Sequence, residues 1–372
     1  THVFVCNAND NSVSIIDIAK NKVVEILDAA LYPNAPSGST TNSLAIDKKN
    51  NRLFIANADN NCLAVFDIAK IGSSKSVGFI PTGWYPTSVR FLNNKIWVAN
   101  GKGFTPKANP FGPSPVRKKG EVIHHMGITK TGSSEQYIGA LFTGTMSIIT
   151  NPTALELTKY TKTVYKNTPY TAAKLTQADS IEAGNPIPSK VGQPSPIKYV
   201  FYIIKENRTY DQVLADMPGG NGDTSLLLFG KNITPNQHAI ASNFVLLDNF
   251  YVDSEVSADG HNWSMGAYAN DYLEKTWPTS YSGRGGTYGG EGEREIANNK
   301  NGFIWNNCYR AGISYRSYGE FVTGGKATVP VLNDHFCKDF PSYGLNITDT
   351  LRFKRWQRDF DSLLAKGQVP KF

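Results

Sequence analysis

A short pattern recurs near the start of this chain, and a chain that repeats a unit is confined to architectures in which units stack on one another. Phe4-Val5-Cys6-Asn7-Ala8 is followed by polar turn residues and then Ser12-Val13-Ser14-Ile15-Ile16-Asp17-Ile18-Ala19-Lys20. The same order returns as Phe54-Ile55-Ala56-Asn57-Ala58 and Cys62-Leu63-Ala64-Val65-Phe66-Asp67-Ile68-Ala69-Lys70. A third copy opens at Ile96-Trp97-Val98-Ala99-Asn100, and a weaker fourth is read at Gly144-Thr145-Met146-Ser147-Ile148-Ile149. Each clear copy has a β-branched or aromatic strand, an Asn/Asp turn that tolerates positive φ, and a second strand ending near Asp, which predicts a hairpin. Lys22-Val23-Val24-Glu25-Ile26 adds a further strand. Three or four strands in roughly 40–50 residues is the period of a propeller blade.

Phe4 to Ile26 resembles the YVTN-type β-propeller repeat, and Tyr85-Pro86-Thr87-Ser88-Val89 resembles the Tyr-Pro step that opens the next blade of that family. The likeness runs over residues 1–151. A seven-bladed ring at this period takes about 300 residues, so the blades here form an incomplete ring. Blades bury their faces against neighbours, and a part-ring leaves apolar faces open. The expectation is that further blades lie upstream or come from another polypeptide.

Composition narrows the function classes. The chain has 372 residues, 40% hydrophobic, 12% aromatic and 19% charged, which excludes a disordered chain. The longest apolar run, Tyr199 to Ile204, is far short of the roughly 20 residues of a transmembrane helix. The first residue is Thr1, with no charged-then-apolar leader after it, so any targeting segment is expected to be absent or already removed. Net charge is +7, but the basic residues are scattered and the densest cluster is Arg117-Lys118-Lys119. A nucleic-acid surface concentrates Lys and Arg with interleaved aromatics, so nucleic acid is not expected as a partner. The four cysteines (Cys6, Cys62, Cys308, Cys337) form no C-x-x-C pair, against a zinc knuckle. Cys308 and Cys337 are the pair an oxidising compartment would allow to bond, and spacing leaves both states open.

Residues 152–198 are rich in Thr, Lys and Pro, with a helix expected around Ala154 to Tyr165 and the run Asn185-Pro186-Ile187-Pro188; they read as a linker. The pattern then changes. Tyr199 to Ile204 and Phe244 to Phe250 read as strands buried on both faces, and Ile313 to Tyr318 as another strand. Helices are expected at Thr209 to Asp216, Pro235 to Asn243, Asp259 to Trp277 and Gly302 to Ala311. Strands alternating with helices predict an α/β sheet over residues 199–372, covered on both faces.

In open α/β sheets, ligands bind beyond the carboxyl ends of strands. Two polar clusters stand there: Lys205-Glu206-Asn207-Arg208-Thr209, and Asp253-Ser254-Glu255-Val256-Ser257-Ala258-Asp259-Gly260-His261. A serine at a helix start sits in the positive end of the macrodipole, which favours an ionised nucleophile and an incoming phosphate. Glu206 and Asn207 offer hard oxygens to a divalent metal. The bland alternatives are an N-cap for Ser257, a surface pair of Glu206 with Lys205 or Arg208, and a local hydrogen bond for His261.

Tyr199 to Asp211, with Lys-Glu-Asn-Arg-Thr-Tyr-Asp after an apolar run, resembles the opening motif of the phosphoesterase branch of the alkaline phosphatase superfamily, which includes acid phosphatases and phospholipases C. Ser257-Ala258-Asp259-Gly260-His261 resembles the nucleophile step of that superfamily and of cofactor-independent phosphoglycerate mutases. Gly260-His261-Asn262-Trp263-Ser264-Met265 and Trp277-Pro278-Thr279-Ser280-Tyr281 resemble bacterial fusions of a YVTN-type propeller with such a domain. The resemblance implies an incomplete alkaline-phosphatase-like domain that hydrolyses phosphoric esters, with Ser257 as nucleophile and Glu206 and Asn207 as ligands to zinc, manganese or calcium. His261 is implied at the phosphate or behind the ligands, and Ser254 and Asp259 are alternatives. It also implies export to the periplasm or cell surface, with a lipid anchor through a missing N-terminus as one route. The resemblance also implies that Asp and His ligands from strands late in the domain complete the metal site. Here Asp334-His335 is the nearest match, expected in a loop beside Cys337, so the chain is expected to need further segments for full activity.

Two rival readings stand beside this one. A non-catalytic propeller scaffold or ligand-binding protein would carry the same repeats. A lactonase-like propeller activity needs a carboxylate cluster that residues 1–151 do not supply.

Overall fold

A computed structural model describes residues 1–105, 121–125, 128–131, 139, 141–168, 184–190 and 192–372. The Arg117-Lys118-Lys119 cluster and the linker residues 169–183 and 191 lie outside them.

The repeats fold as consecutive antiparallel sheets. The first joins β1 (His2–Asn7), β2 (Ser12–Asp17) and β3 (Lys22–Asp28) in that order. The second is a meander of β4 (Thr41–Asp47), β5 (Arg52–Asn57), β6 (Cys62–Asp67) and β7 (Lys75–Pro81). In the third, β9 (Lys95–Asn100) lies between β8 (Pro86–Leu92) and β12 (Thr145–Thr150); a separate hairpin, β10 (Val122–His125) with β11 (Ile128–Thr131), precedes β12 in the chain. Asparagine does the turning. Asn11, Asn51 and Asn61 all sit at φ between 52° and 54°, a left-handed conformation Asn tolerates better than most residues. This arrangement is compatible with propeller blades.

Period-two alternation explains the packing. In the second sheet Leu53, Ile55, Cys62, Ala64 and Phe66 face the first sheet, meeting Val13, Ile15 and Leu27. Their neighbours Phe54, Ala56, Leu63 and Val65 face the third sheet, meeting Val89, Ile96 and Val98. The second sheet is therefore buried on both faces. The outer faces are open: Val3 and Val5 on β1, and Met146 and Ile148 on β12, remain exposed.

One expectation for this region is corrected. The fourth repeat does not open a new sheet. β12 pairs along β9, from Thr145 opposite Asn100 to Thr150 opposite Lys95, because β9 has a free edge there. The expected helix after it is α1 (Ala154–Asn167), which starts with a capping box between Thr153 and Glu156. It packs on β7, where Thr161 Oγ1 accepts the Phe79 N–H at 2.9 Å.

The C-terminal half is helical. It contains α2 (Tyr210–Leu214), α3 (Pro235–Asn243), α4 (Ser257–Gly266), α5 (Asp271–Tyr281), α6 (Ile304–Arg310) and α7 (Asp349–Ala365), with a two-residue hairpin of β13 (Val322–Thr323) and β14 (Lys326–Ala327). The single long helix expected over Asp259 to Trp277 is two helices. Ala267 turns left-handed at φ 65°, and the Asn270 side chain then caps α5 by accepting from Leu273 N–H at 3.2 Å.

The buried strands expected here are not strands. Tyr199 to Ile204 and Phe244 to Phe250 have no ladder, and Phe201, Ile203, Phe244 and Phe250 are exposed. An apolar run becomes a buried strand only when neighbours pair with its backbone. Among the described residues, the first run makes one such backbone bond, Val200 N–H to the Lys371 carbonyl at 2.8 Å. Ile313 to Tyr318 forms an isolated parallel bridge, Ser317 to Phe336, rather than a strand. Next to it, Ser314 O accepts from Phe372 N–H and Arg316 N–H donates to Phe372 O, a parallel-type pairing one residue long.

Candidate functional site

Helix α4 is wedged between two apolar clusters. Val256 and Ala258 pack with Leu273, Trp277 and Tyr288 on one side, and Met265 packs with Phe303, Phe321 and Leu332 on the other. Ala258, Asp259, Asn262 and Met265 are the buried positions of the helix. Ser257 and His261, four residues apart and so on one helical face, emerge from this packing half-buried.

Both reach Glu206. Ser257 Oγ donates a hydrogen bond to Glu206 Oε1, and His261 Nε2 donates to the same oxygen at 2.9 Å. The other ring nitrogen, His261 Nδ1, donates to Glu320 at 2.8 Å to Oε1 and 2.9 Å to Oε2. A carboxylate can only accept, so a ring that serves one on each nitrogen carries both protons. Burial works against that charge, but the Glu206 and Glu320 contacts outweigh it and hold the His261 pKa up at about 10. In return, the His261 hydrogen bond keeps Glu206 below its usual range against the pull of burial, with Ser257 assisting.

The bland alternatives are not what the structure contains. Val256, not Ser257, is the N-cap of α4, and Ser257 sends its hydroxyl to Glu206 instead of capping backbone. Arg208 bonds the Asn207 carbonyl at 2.9 Å and lies over the Phe229 ring. His261 makes long-range contacts rather than local ones.

The remaining expected residues fall elsewhere. Asn207 is exposed beside Glu206. Ser254 is buried, its Oγ without a hydrogen-bond partner among the described residues. Asp259 is 0% exposed and accepts the Tyr288 hydroxyl on the buried side of α4; burial, opposed by that hydrogen bond, raises its pKa to about 6. Asp334 and His335 lie in a loop, as expected, with the His335 ring stacked on Tyr315 at 4.5 Å. Cys308 and Cys337 are free thiols. Glu320 completes the cluster without any signal in the sequence. It sits in a turn where Ser317 Oγ donates to its backbone carbonyl at 2.6 Å, and no motif around it marks a role.

A further contact ties α4 to its surroundings. Lys102, just beyond β9, pairs with Glu255 at 3.0 Å, two residues before Ser257, so the sheet region touches the segment that enters α4. Burial pulls the Lys102 pKa down, but Glu255 and Glu274 outweigh it and raise it.

The donor set fits a divalent cation in kind. Glu206 Oε1 and Ser257 Oγ are hard oxygens meeting at one point, with Asn207 next to Glu206 in sequence. It is short in number: among the described residues, no group of three His, Cys, Asp or Glu side chains is placed to hold a metal ion. Among the described residues, no helix is long and apolar enough to cross a membrane.

No family model and no curated protein matches the chain. Solved structures with partial likeness include hydrazine synthase of Kuenenia stuttgartiensis, at 20% identity and TM-score 0.22 over 27% of this chain and 26% of that one. Saccharomyces cerevisiae Sqt1 is similar at 12% identity and TM-score 0.22, over 25% of this chain and 24% of that one. A nidogen/laminin complex matches at 14% identity and TM-score 0.20, over 27% and 34%. The chain thus spans about a quarter to a third of the length of these structures, and such TM-scores assign neither fold nor function.

Proposed function

We propose that this chain carries a phosphoric ester hydrolase site with Ser257 as nucleophile, behind YVTN-type propeller blades and within a domain of the alkaline phosphatase superfamily. The observation that carries the reading is the meeting of Ser257 Oγ, His261 Nε2 and Glu206 at one carboxylate oxygen. Two motifs far apart in sequence, each singled out for the same chemistry, converge on that atom.

In the proposed reaction Ser257 Oγ attacks phosphorus in line and passes its proton to Glu206 Oε1. The P–O bond to the alcohol breaks with its electron pair, and the departing oxygen takes a proton from water. The hydroxide left behind attacks the phosphoserine, the Oγ–P bond breaks, and Oγ recovers its proton from Glu206. The His261 imidazolium orients Glu206 and offsets its charge, and Glu320 fixes the ring. A divalent ion (zinc, manganese or calcium) held by Glu206, Ser257 and Asn207 would supply Lewis-acid polarisation and a lower hydroxyl pKa.

The test is hydrolysis of an aryl phosphate with and without added manganese. Glu206→Ala is expected to abolish metal-stimulated turnover; an unchanged rate in that variant defeats the proposal. A second reading, a non-catalytic binding scaffold, is favoured by the short donor set. It predicts no metal-stimulated turnover in the unaltered chain.

A further inference from the structure

We propose that Tyr281 is a further catalytic residue, whose phenol O–H donates a hydrogen bond to the phosphoryl oxygen that gains charge as Ser257 attacks. The proposal rests on the phosphoester reading above. Tyr281 is the last residue of α5, and its hydroxyl oxygen accepts the N–H of Ala258 at 3.3 Å. Ala258 follows Ser257 directly, so this phenol oxygen lies one residue from the nucleophile. The Ala258 amide is in the first turn of α4, where N–H groups have no partner within the helix.

The bond leaves the phenol's own proton uncommitted. Among the described residues, Tyr281 accepts from Ala258 and its O–H donates to no acceptor. A hydroxyl whose lone pair is engaged by an amide is polarised toward donating outward. Tyr281 is 46% exposed, which leaves the side chain within reach of an incoming group. Burial raises the Tyr281 pKa against the Ala258 bond, and the negative charges of Asp259, Glu291 and Glu206 add to the rise, which keeps the phenol protonated at neutral pH.

The position is held from behind. The Tyr281 ring meets Trp277 edge-on at 6.4 Å and Tyr288 at 5.9 Å. Trp277 is 2% exposed, and the Tyr288 hydroxyl is tied to the buried Asp259. A donor fixed in advance near developing charge is the arrangement that stabilises a transition state without reorganisation.

The experiment compares the full chain with Tyr281→Phe and Ser257→Ala, in manganese, using p-nitrophenyl phosphate for turnover and orthovanadate binding by calorimetry as a readout without turnover. Thermal melting checks that the variants fold. Tyr281→Phe is expected to lower kcat about 100- to 1,000-fold with KM within about twofold, and to weaken vanadate binding by a similar factor. Tyr281→His, which restores a donor, is expected to recover part of the loss. If Ser257→Ala is inactive while Tyr281→Phe matches the unaltered chain in kcat and vanadate affinity, the Tyr281 role is wrong and the phosphoester reading stands. If Ser257→Ala keeps the full rate, or the unaltered chain neither turns over nor binds vanadate, both fall together.

Discussion

Ser257 and His261, one turn apart on α4, hydrogen-bond the same oxygen of Glu206. A serine hydroxyl and a doubly protonated imidazole thereby share one acceptor, and the acceptor comes from the extended segment after Ile204. The arrangement depends on Glu320, which holds the far side of the ring.

Glu320→Ala removes one of two carboxylates from the half-buried imidazolium. Loss of a charged hydrogen bond of this kind is expected to cost about 1–3 kcal/mol, read as a lower urea midpoint with an unchanged slope. Glu320→Gln, which keeps an acceptor oxygen, is expected to cost less. Equal stability in all three proteins would contradict the account of the ring.

In the second sheet Leu63 is 0% exposed between sheets, whereas Val3 on the open face of β1 is 43% exposed. Leu63→Ala is expected to destabilise by about 2–5 kcal/mol through lost transfer energy and a cavity. Val3→Ala is expected to stay within about 0.5 kcal/mol. Comparable losses at both positions would mean that the first sheet's outer face is covered in solution.

How much of this was legible beforehand differs between the halves. Along β1 to β9 the apolar alternation and the Asn turns both point to hairpins, and Asn11 and Asn61 turn the chain where the repeats put the turns. Tyr199 to Ile204 reads as a buried strand because hydropathy reports what a segment would bury, not whether a partner backbone is beside it. Glu206, Ser257 and His261 were legible through their motifs. Glu320 was not, since its contact with His261 closes across 59 sequence positions and nothing local requires it.

The buried His238 bridges α3 to the end of the α2 segment, with Nε2 donating to Asp216 at 2.7 Å and Nδ1 to the Thr234 carbonyl at 2.8 Å. Burial opposes its charge, but Asp216 and the Thr234 carbonyl outweigh it and raise its pKa above 6.5. Stability from His238 is therefore full below about pH 6.5 and is lost as pH rises through the raised value. The Asp216 pKa is lowered, first by the His238 hydrogen bond, so its contribution is present above about 3.8 and is lost as pH falls through the lowered value. His238→Gln is expected to flatten the alkaline decline in melting temperature; an identical pH profile would contradict the pairing.

All four cysteines are free, with Cys62, Cys308 and Cys337 buried and Cys6 half-buried. Burial raises the pKa of Cys6 to about 11 and that of Cys62 to about 12. The native protein is expected to react slowly with iodoacetamide, and the unfolded protein to take up four alkyl groups without reductant. Uptake of two would mean that Cys308 and Cys337 are bonded.

The central claim concerns the hydroxyl of Ser257, and acid-quenching the chain during turnover of an aryl phosphate tests it directly by peptide mass spectrometry. One phosphoryl group on Ser257 is the result the account predicts, absent in Ser257→Ala and diminished in Glu206→Ala. Turnover with the phosphoryl group on another residue, or on none, would contradict it.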